Sequence, residues 1–474
     1  MKKSINKYII GSAVVALTLV NCSKKFITKA PNDSLLFDEA LGTPSALQSA
    51  LNGAYNQLGQ VGIFGRDLPV VGDLMADNVY VQSKNSNRYI SQYAYNVTSQ
   101  DAVPADAWTD CYSAILRANQ IIDSKLTGTD VDPIRAQAYG IRALMYFKLV
   151  TYFAAPYTQD SSALGVPLVL HYSAFSLPAR NTVGTVFNQI VADLNAALPI
   201  APKYTNSVTL SKYAIEGLLA RTYLYMGNYA LAKQAASDVI QNSGFTLVDS
   251  SGLVAFWSDP SVKTNKVEVM FEINQDVIVN NGFDDLGGIY VFGYGDLYCS
   301  SQLFNLYSAT DVRAQLISLG QTAAGAPAYV VYKFPNAQSA DRDNLKVIRL
   351  AEVYLIGAEA AARTNDPTSA NGWLNDLMLN RDPSFAGYND NGQALINDIV
   401  QERRKELAFE GDRFFDLNRL HLPINRGQNA GALQAGANNI NLSIAYPDPR
   451  RIAPIPNAEI QANPNIAKQQ NPGY

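Results

Sequence analysis

Apolar and small residues recur at helical spacing through the first half of the chain. Ala46, Leu47, Ala50, Leu51, Ala54 and Leu58 lie three or four positions apart and predict an early helix. Trp108, Tyr112, Ile115, Asn119 and Ile122 repeat that spacing. Residues 136–153 (AQAYGIRALMYFKLVTYF) predict a long buried helix followed by Pro156, and residues 186–198 another, stopped by Pro199 and Pro202. Ser211 is placed to cap a helix running through Tyr225. Gly227-Asn228 then turns the chain, and residues 229–241 return as its partner, closed by Gly244. In this pair Gly217, Leu218, Leu224, Tyr225, Gly227, Tyr229, Ala232 and Ala235 fall close to the tetratricopeptide pattern. Residues 348–362 (IRLAEVYLIGAEAAA) and 370–379 predict a second such pair more than a hundred residues later. A stack of helix pairs interrupted by a long insertion is therefore expected.

The pattern changes between about residues 245 and 345. Residues 267–273 (VEVMFEI) read as a short strand. Residues 280–301 hold five glycines and the aromatics Phe283, Tyr290, Phe292, Tyr294 and Tyr298, and residues 309–333 read as irregular. Residues 396–420 predict one helix, and the tail beyond it is rich in Asn and Pro with little periodicity. Loops of this length inside a compact protein are usually functional or tied to a partner.

Composition narrows the chemistry. The 474 residues are 47% hydrophobic and 16% charged, enough for a large core. A formal net charge of -4 argues against a general nucleic-acid binder. The chain starts with Lys2, Lys3 and Lys7, followed by an apolar run over residues 9–20 that is too short to cross a bilayer but suits a secretory leader. The run ends in Leu19-Val20-Asn21-Cys22, which looks like a bacterial lipobox in which Cys22 is lipidated; the plainer alternative is a leader cleaved elsewhere. Cys111 lies on an amphipathic helix and is expected as a buried free thiol, although a bond to Cys299 is left open.

There are only two histidines, His171 and His421, and no G-x-S-x-G, H-E-x-x-H or Walker sequence, so no catalytic residue, metal or cofactor is assigned. Glu402, Glu406 and Glu410, spaced by four with Arg403, Arg404 and Arg413 nearby, read as ion-pairing residues rather than a catalytic carboxylate pair. Asp284-Asp285 and residues 389–392 read as turns rather than calcium loops. The positive signal is aromatic: 27 Tyr and 18 Phe against 3 Trp. Sugars present apolar C–H faces that stack on aromatic rings, while Asn, Asp and Arg bridge their hydroxyls. Residues 73–108 supply that mixture in Asp73, Asp77, Asn78, Tyr80, Arg88, Tyr89, Tyr93 and Tyr95, and the glycine-rich stretch adds Tyr290, Tyr294 and Tyr298. Trp108, on a helical stripe, reads as core. The candidate ligand-binding set is Asp73, Asn78, Tyr80, Arg88, Tyr89, Tyr93, Tyr290, Tyr294 and Tyr298. The competing reading for any one of these tyrosines is helix packing.

Taken in order, the motifs resemble the SusD/RagB family of outer-membrane nutrient-uptake lipoproteins. They are CSKKFITKAPNDSL, YGIRALMYFKLVTYFAAPY with GVPLVL, LPARNTVGTVFNQIVADLNAALP, AIEGLLARTYLYMGNYALA, IRLAEVYLIGAEA, ERRKELAFEGDRFFDLNRL and the PIPNAEIQANPN…QNPGY tail. The resemblance implies a mainly α fold: tetratricopeptide-like helix pairs (residues 22–250, after a leader of residues 1–21) packed against an irregular, loop-rich half with few short strands (residues 251–474), the two intertwined. It implies a lipid-anchored protein of the outer membrane, facing the cell exterior. That protein captures oligosaccharide and passes it as a lid to a SusC-like TonB-dependent transporter, without bond-breaking chemistry or a nucleic-acid partner. A peptide-capturing RagB-like protein and, behind it, a lipoprotein glycosidase are the alternatives. Arg403, Glu406, Glu410 and Arg413 are expected to form an ion-pair network that pins the final helix.

Overall fold

The computed structural model describes residues 41–173, 175–433 and 442–474. The leader and Cys22 lie outside the described residues. Among the described residues no helix is long and apolar enough to cross a membrane. The fold is mainly helical with few short strands, as the resemblance implies. Its principal helices are α1 (Pro44–Leu58), α2 (Asp67–Leu74), α3 (Ala102–Ile122), α4 (Asp132–Phe153), α5 (Val183–Ala197), α6 (Lys212–Tyr225), α7 (Tyr229–Asn242), α8 (Leu350–Arg363), α9 (Pro367–Leu379), α10 (Gly392–Glu406) and α11 (Arg413–Arg419).

Consecutive helices pack in series from α3 to α7, with α1 laid on α3. Aromatic rings fill the space between layers: Phe147 of α4 meets Phe187 of α5 and Tyr225 of α6 edge-on, at 6.2 and 4.9 Å. α8 then packs directly on α7, and α9 on α8, so the insertion that separates the two pairs in sequence does not separate them in space. Gly357 makes the close approach possible. A Cβ there would lie 3.0 Å from the Trp373 ring on α9 and 3.4 Å from Ala236 on α7. Ser211 occupies the N-cap position of α6 but its side chain makes no capping bond. Gly227 turns the chain at φ +70° and Gly244 closes α7 at φ +72°.

The insertion, joined by one strand from the first half, builds two small sheets. In the larger, β1 (Val79–Val81), β3 (Leu297–Cys299), β5 (Pro327–Val331) and β4 (Ile317–Gln321) lie in that order, all antiparallel. β2 (Val269–Ile273) pairs with β6 (Leu345–Arg349). The β4–β5 hairpin corrects the reading of residues 309–333 as irregular. Its turn closes by the Thr322 amide donating to the Ala326 carbonyl, with Gly325 at φ +81°.

The helix expected over residues 396–420 is two helices. Between α10 and α11 the backbone turns left-handed at Phe409 (φ +69°) and Gly411 (φ +87°). The Asp73 carboxylate on α2 holds the turn, accepting from the Phe409 and Gly411 amides at 3.1 and 2.8 Å. Across the break Arg403, Glu406, Glu410 and Arg413 pair with other residues rather than with one another, Glu406 and Glu410 sharing Arg349. Glu406 meets Arg381, Arg349 and Arg313 at 3.0, 3.1 and 3.2 Å, and Glu410 meets Arg349 and Lys333, both at 2.7 Å. Arg403 reaches Asp416 at 2.7 Å and Arg413 reaches Asp77 at 2.9 Å. Burial alone would raise the Glu406 carboxyl, but the three guanidiniums outweigh it and hold that group well below the usual range.

The tail runs back over α4. The Ala453 amide donates to the Tyr152 carbonyl at 2.9 Å, and Asn471 Nδ2 donates to the Phe153 and Ala453 carbonyls at 2.8 and 2.6 Å. Cys111 and Cys299 are both buried free thiols.

Candidate ligand-binding cleft

Seven of the nine candidate residues are inside the protein. Asp73 is fully buried; desolvation pushes its carboxyl up to about 7 against hydrogen bonds from Asn78 and the two turn amides. Asn78 Oδ1 in turn accepts from Arg404 at 2.9 Å. Tyr80 of β1 stacks on Tyr298 of β3, ring centres 6.0 Å apart. Tyr93 packs under the Arg426 guanidinium, as does Tyr95. Tyr290 lies between Phe334 and Phe409, at 6.2 and 5.9 Å. Tyr89, left-handed at φ +59°, turns its hydroxyl inward to Asp67. The faces of these rings are occupied by protein. Trp108 is core, against Phe153 at 5.1 Å.

Arg88 and Tyr294 are the two candidates that reach solvent, and the fold brings them together. They come from segments two hundred residues apart, and the guanidinium carbon lies 3.5 Å from the Tyr294 ring centre. Beside them Phe283 and Phe292, at 45% and 46% exposure, pair at 5.8 Å. These two rings are displayed by the turn around a short helix, Leu286–Tyr290, whose N-terminus is capped by Asp285 through the Gly288 amide at 2.6 Å. The preceding residue, Asp284, bridges Arg66 and Arg88.

Arg66 and Arg88 also line a cleft of about 470 Å³ between the start of α3 and the loop carrying Asn87 and Tyr89. That volume is within the range of small-molecule sites. Arg66 is fixed by Asp67 at 3.0 Å and by Asp284; burial would lower it, but Tyr89, Asp67 and Asp284 outweigh that and keep it charged. Asp101 accepts from Ser91 Oγ at 2.6 Å and from the Thr98 amide at 2.6 Å. Partial burial lifts the Asp106 carboxyl, with Arg66 opposing. Gln92 is buried on the same wall, and its enclosed Nε2 has no hydrogen-bond partner among the described residues. The cleft thus offers side-chain donors and acceptors next to a shelf of exposed rings. Gln92, Arg66 and Asp106 escaped the sequence reading, and Asp284 was read only as a turn, because nothing in their local pattern distinguishes them from turn and helix-end residues.

Residues 323–474 match the SusD family, and residues 25–224 match a family described as starch-binding associating with outer membrane. A SusD superfamily structure from Bacteroides thetaiotaomicron superposes with a TM-score of 0.83 at 30% identity, covering 91% of this chain and 100% of that one. The chain belongs to the SusD family. Among curated SusD-like relatives, protein P2 of Formosa agariphila is 26% identical over 99% of this chain and 100% of its own length. A SusD-like carbohydrate binding protein from Bacteroides vulgatus shares the fold at a TM-score of 0.78 and 20% identity, over 90% of this chain and 98% of that one. In this SusD-like protein the carbohydrate-binding family and the association with the outer membrane are the coarse functional setting; the cleft is where its own residues offer a ligand a place.

Proposed function

We propose that the protein captures oligosaccharides at the cell surface, tethered by lipid on Cys22, and passes them as a lid to a SusC-like TonB-dependent transporter, breaking no bond itself. The observation that carries the capture step is the Arg88–Tyr294 stack: Arg88 lines the polar cleft, and Tyr294 shares its loop with the exposed rings of Phe283 and Phe292. Such rings take the C–H faces of sugar units, and the Asp, Arg and amide groups beside them take the hydroxyls. Family membership supports the handover to a transporter, and the lipobox-like Leu19-Val20-Asn21-Cys22 supports the tether. The test is a glycan array probed with the purified full chain, followed by titration calorimetry with the best oligosaccharide. The reading fails if no glycan binds while extended peptides do, or if the bound oligosaccharide is cleaved. Co-purification with the transporter from outer membranes tests the handover, and its absence removes the lid role.

A further inference from the structure

Arg88 is partly exposed, on a long side chain with many rotamers, and a cation over a ring at such a site is a weak contact. Asp284 does not fix it, lying 3.8 Å away and closer to Arg66. One bond does. Arg88 Nη1 donates to Ser86 Oγ at 2.9 Å. The Ser86 hydroxyl proton goes to Asp296 Oδ2, and the Ser86 amide donates to Asp296 Oδ1 at 2.9 Å. Asp296 is fully buried, and among the described residues its carboxylate oxygens accept from Ser86 alone. The direction of these bonds is forced. A carboxylate accepts, a guanidinium donates, and a hydroxyl between them does both at one atom. The carboxylate also polarises that hydroxyl and strengthens its hold on the guanidinium. The backbone puts this chain of bonds beside the stack. Ser86 and Arg88 lie two residues apart after β1, and Tyr294 and Asp296 two apart before β3, so Ser86–Asp296 and Arg88–Tyr294 are successive rungs between the two segments. Gln82 ties the same segments together, its amide donating to the Asp296 carbonyl at 3.0 Å and its Nε2 to the Gly295 carbonyl at 2.6 Å.

We propose that Ser86, anchored by Asp296, is a positioning residue that holds the Arg88 guanidinium on the Tyr294 ring before any sugar arrives. This rests on the carbohydrate reading above and adds to it the residue that keeps the stacking surface assembled. A sugar that reaches the stack meets a guanidinium already in place and does not have to order it, which favours affinity without any contact to Ser86 itself.

The experiment is titration calorimetry of the purified full chain with the best oligosaccharide from the glycan array, on Ser86→Ala, Ser86→Thr, Arg88→Ala and the Ser86→Ala, Arg88→Ala double variant. Ser86 is exposed, so its truncation removes the link without opening a cavity. Ser86→Ala is expected to weaken binding about fivefold, the size of one lost hydrogen bond. Ser86→Thr keeps the hydroxyl and is expected to stay within about twofold of the parent chain. Because Ser86 acts through Arg88, adding Ser86→Ala to Arg88→Ala is expected to change affinity by less than about 1.5-fold. A loss that persists undiminished in the Arg88→Ala background assigns Ser86 to the loop as a whole and overturns the inference. Ser86→Thr binding as weakly as Ser86→Ala overturns it too, since the hydroxyl is then not what matters. Unchanged affinity in Ser86→Ala while Arg88→Ala weakens binding overturns this inference and leaves carbohydrate capture standing; binding to no glycan overturns both.

Discussion

The guanidinium of Arg88 lies over the ring of Tyr294, 3.5 Å from its centre: the antiparallel pairing of Val81 with Leu297 brings the segment after β1 and the segment before β3 to the same end of the strand pair. The cation over the ring holds both side chains in place, and Phe283 and Phe292 form a second ring pair on the same loop as Tyr294. Tyr294→Ala is expected to weaken oligosaccharide binding by about 1–2 kcal/mol, by analogy with base stacking on aromatic side chains. Arg88→Ala should cost a similar amount, and the double variant less than the sum, because removing either disorders the other. Calorimetry on the three variants measures this; strict additivity would show that the two act separately.

Tyr290, four residues away, behaves differently. Its ring is enclosed by Phe334 and Phe409, and its hydroxyl has no hydrogen-bond partner among the described residues. Tyr290→Ala is expected to lose about 3–5 kcal/mol of stability, as large aromatic truncations in cores do. Tyr290→Phe deletes only the unsatisfied hydroxyl and should leave stability equal or raised. Chemical denaturation distinguishes the two, and a destabilised Tyr290→Phe would reveal a partner for the hydroxyl.

The acid limb of stability is expected to report Glu359. Burial would raise this carboxyl, but Arg419 foremost, with Arg363 and Arg403, outweighs it and lowers the group from 4.5 to about 2. A depressed folded-state value means that the carboxylate stabilises the fold fully above its unfolded value and loses this contribution as pH falls from about 4.5 towards 2. The shift corresponds to about 3 kcal/mol. Glu359→Gln leaves Arg419 with Asp416 as its remaining carboxylate, and should both destabilise the protein near neutrality, by about 3 kcal/mol, and flatten that part of the pH profile. An unchanged acid slope in the variant would assign the slope to other carboxylates.

Gly72 and Gly411 allow α2 and the turn after α10 to touch. A Cβ on Gly72 would fall 2.0 Å from the Gly411 carbonyl oxygen, and one on Gly411 2.4 Å from the Pro69 Cα. Gly411→Ala combines that clash with a left-handed backbone and is expected to cost about 3 kcal/mol. A urea midpoint equal to that of the parent chain would mean that the turn can move aside.

The helix pairs were legible because their spacing is local. The break between α10 and α11 was not, because RRKELAFEGDRFFDL carries helical spacing throughout and the left-handed Phe409 is imposed by Asp73, far away in sequence. The aromatic loops were legible only as an inventory. Whether a tyrosine on a loop is surface or core depends on what folds over it: Tyr89 points inward because its own backbone is left-handed, while Tyr294 is held outward by Arg88. The ion-pairing residues were recognised by type, but their partners Arg313, Lys333, Arg349 and Arg381 lie on segments that no spacing connects to them.

The seating of α8 on α7 has a consequence for how the chain is made. Ala236 waits for Gly357, so the outer face of the early helix array is closed by residues synthesised only after the insertion has left the ribosome. Completion of the array is thus a long-range event, slower than the pairing of neighbours. A nascent chain that ends within the insertion carries an uncovered apolar helix face until the second helix pair arrives.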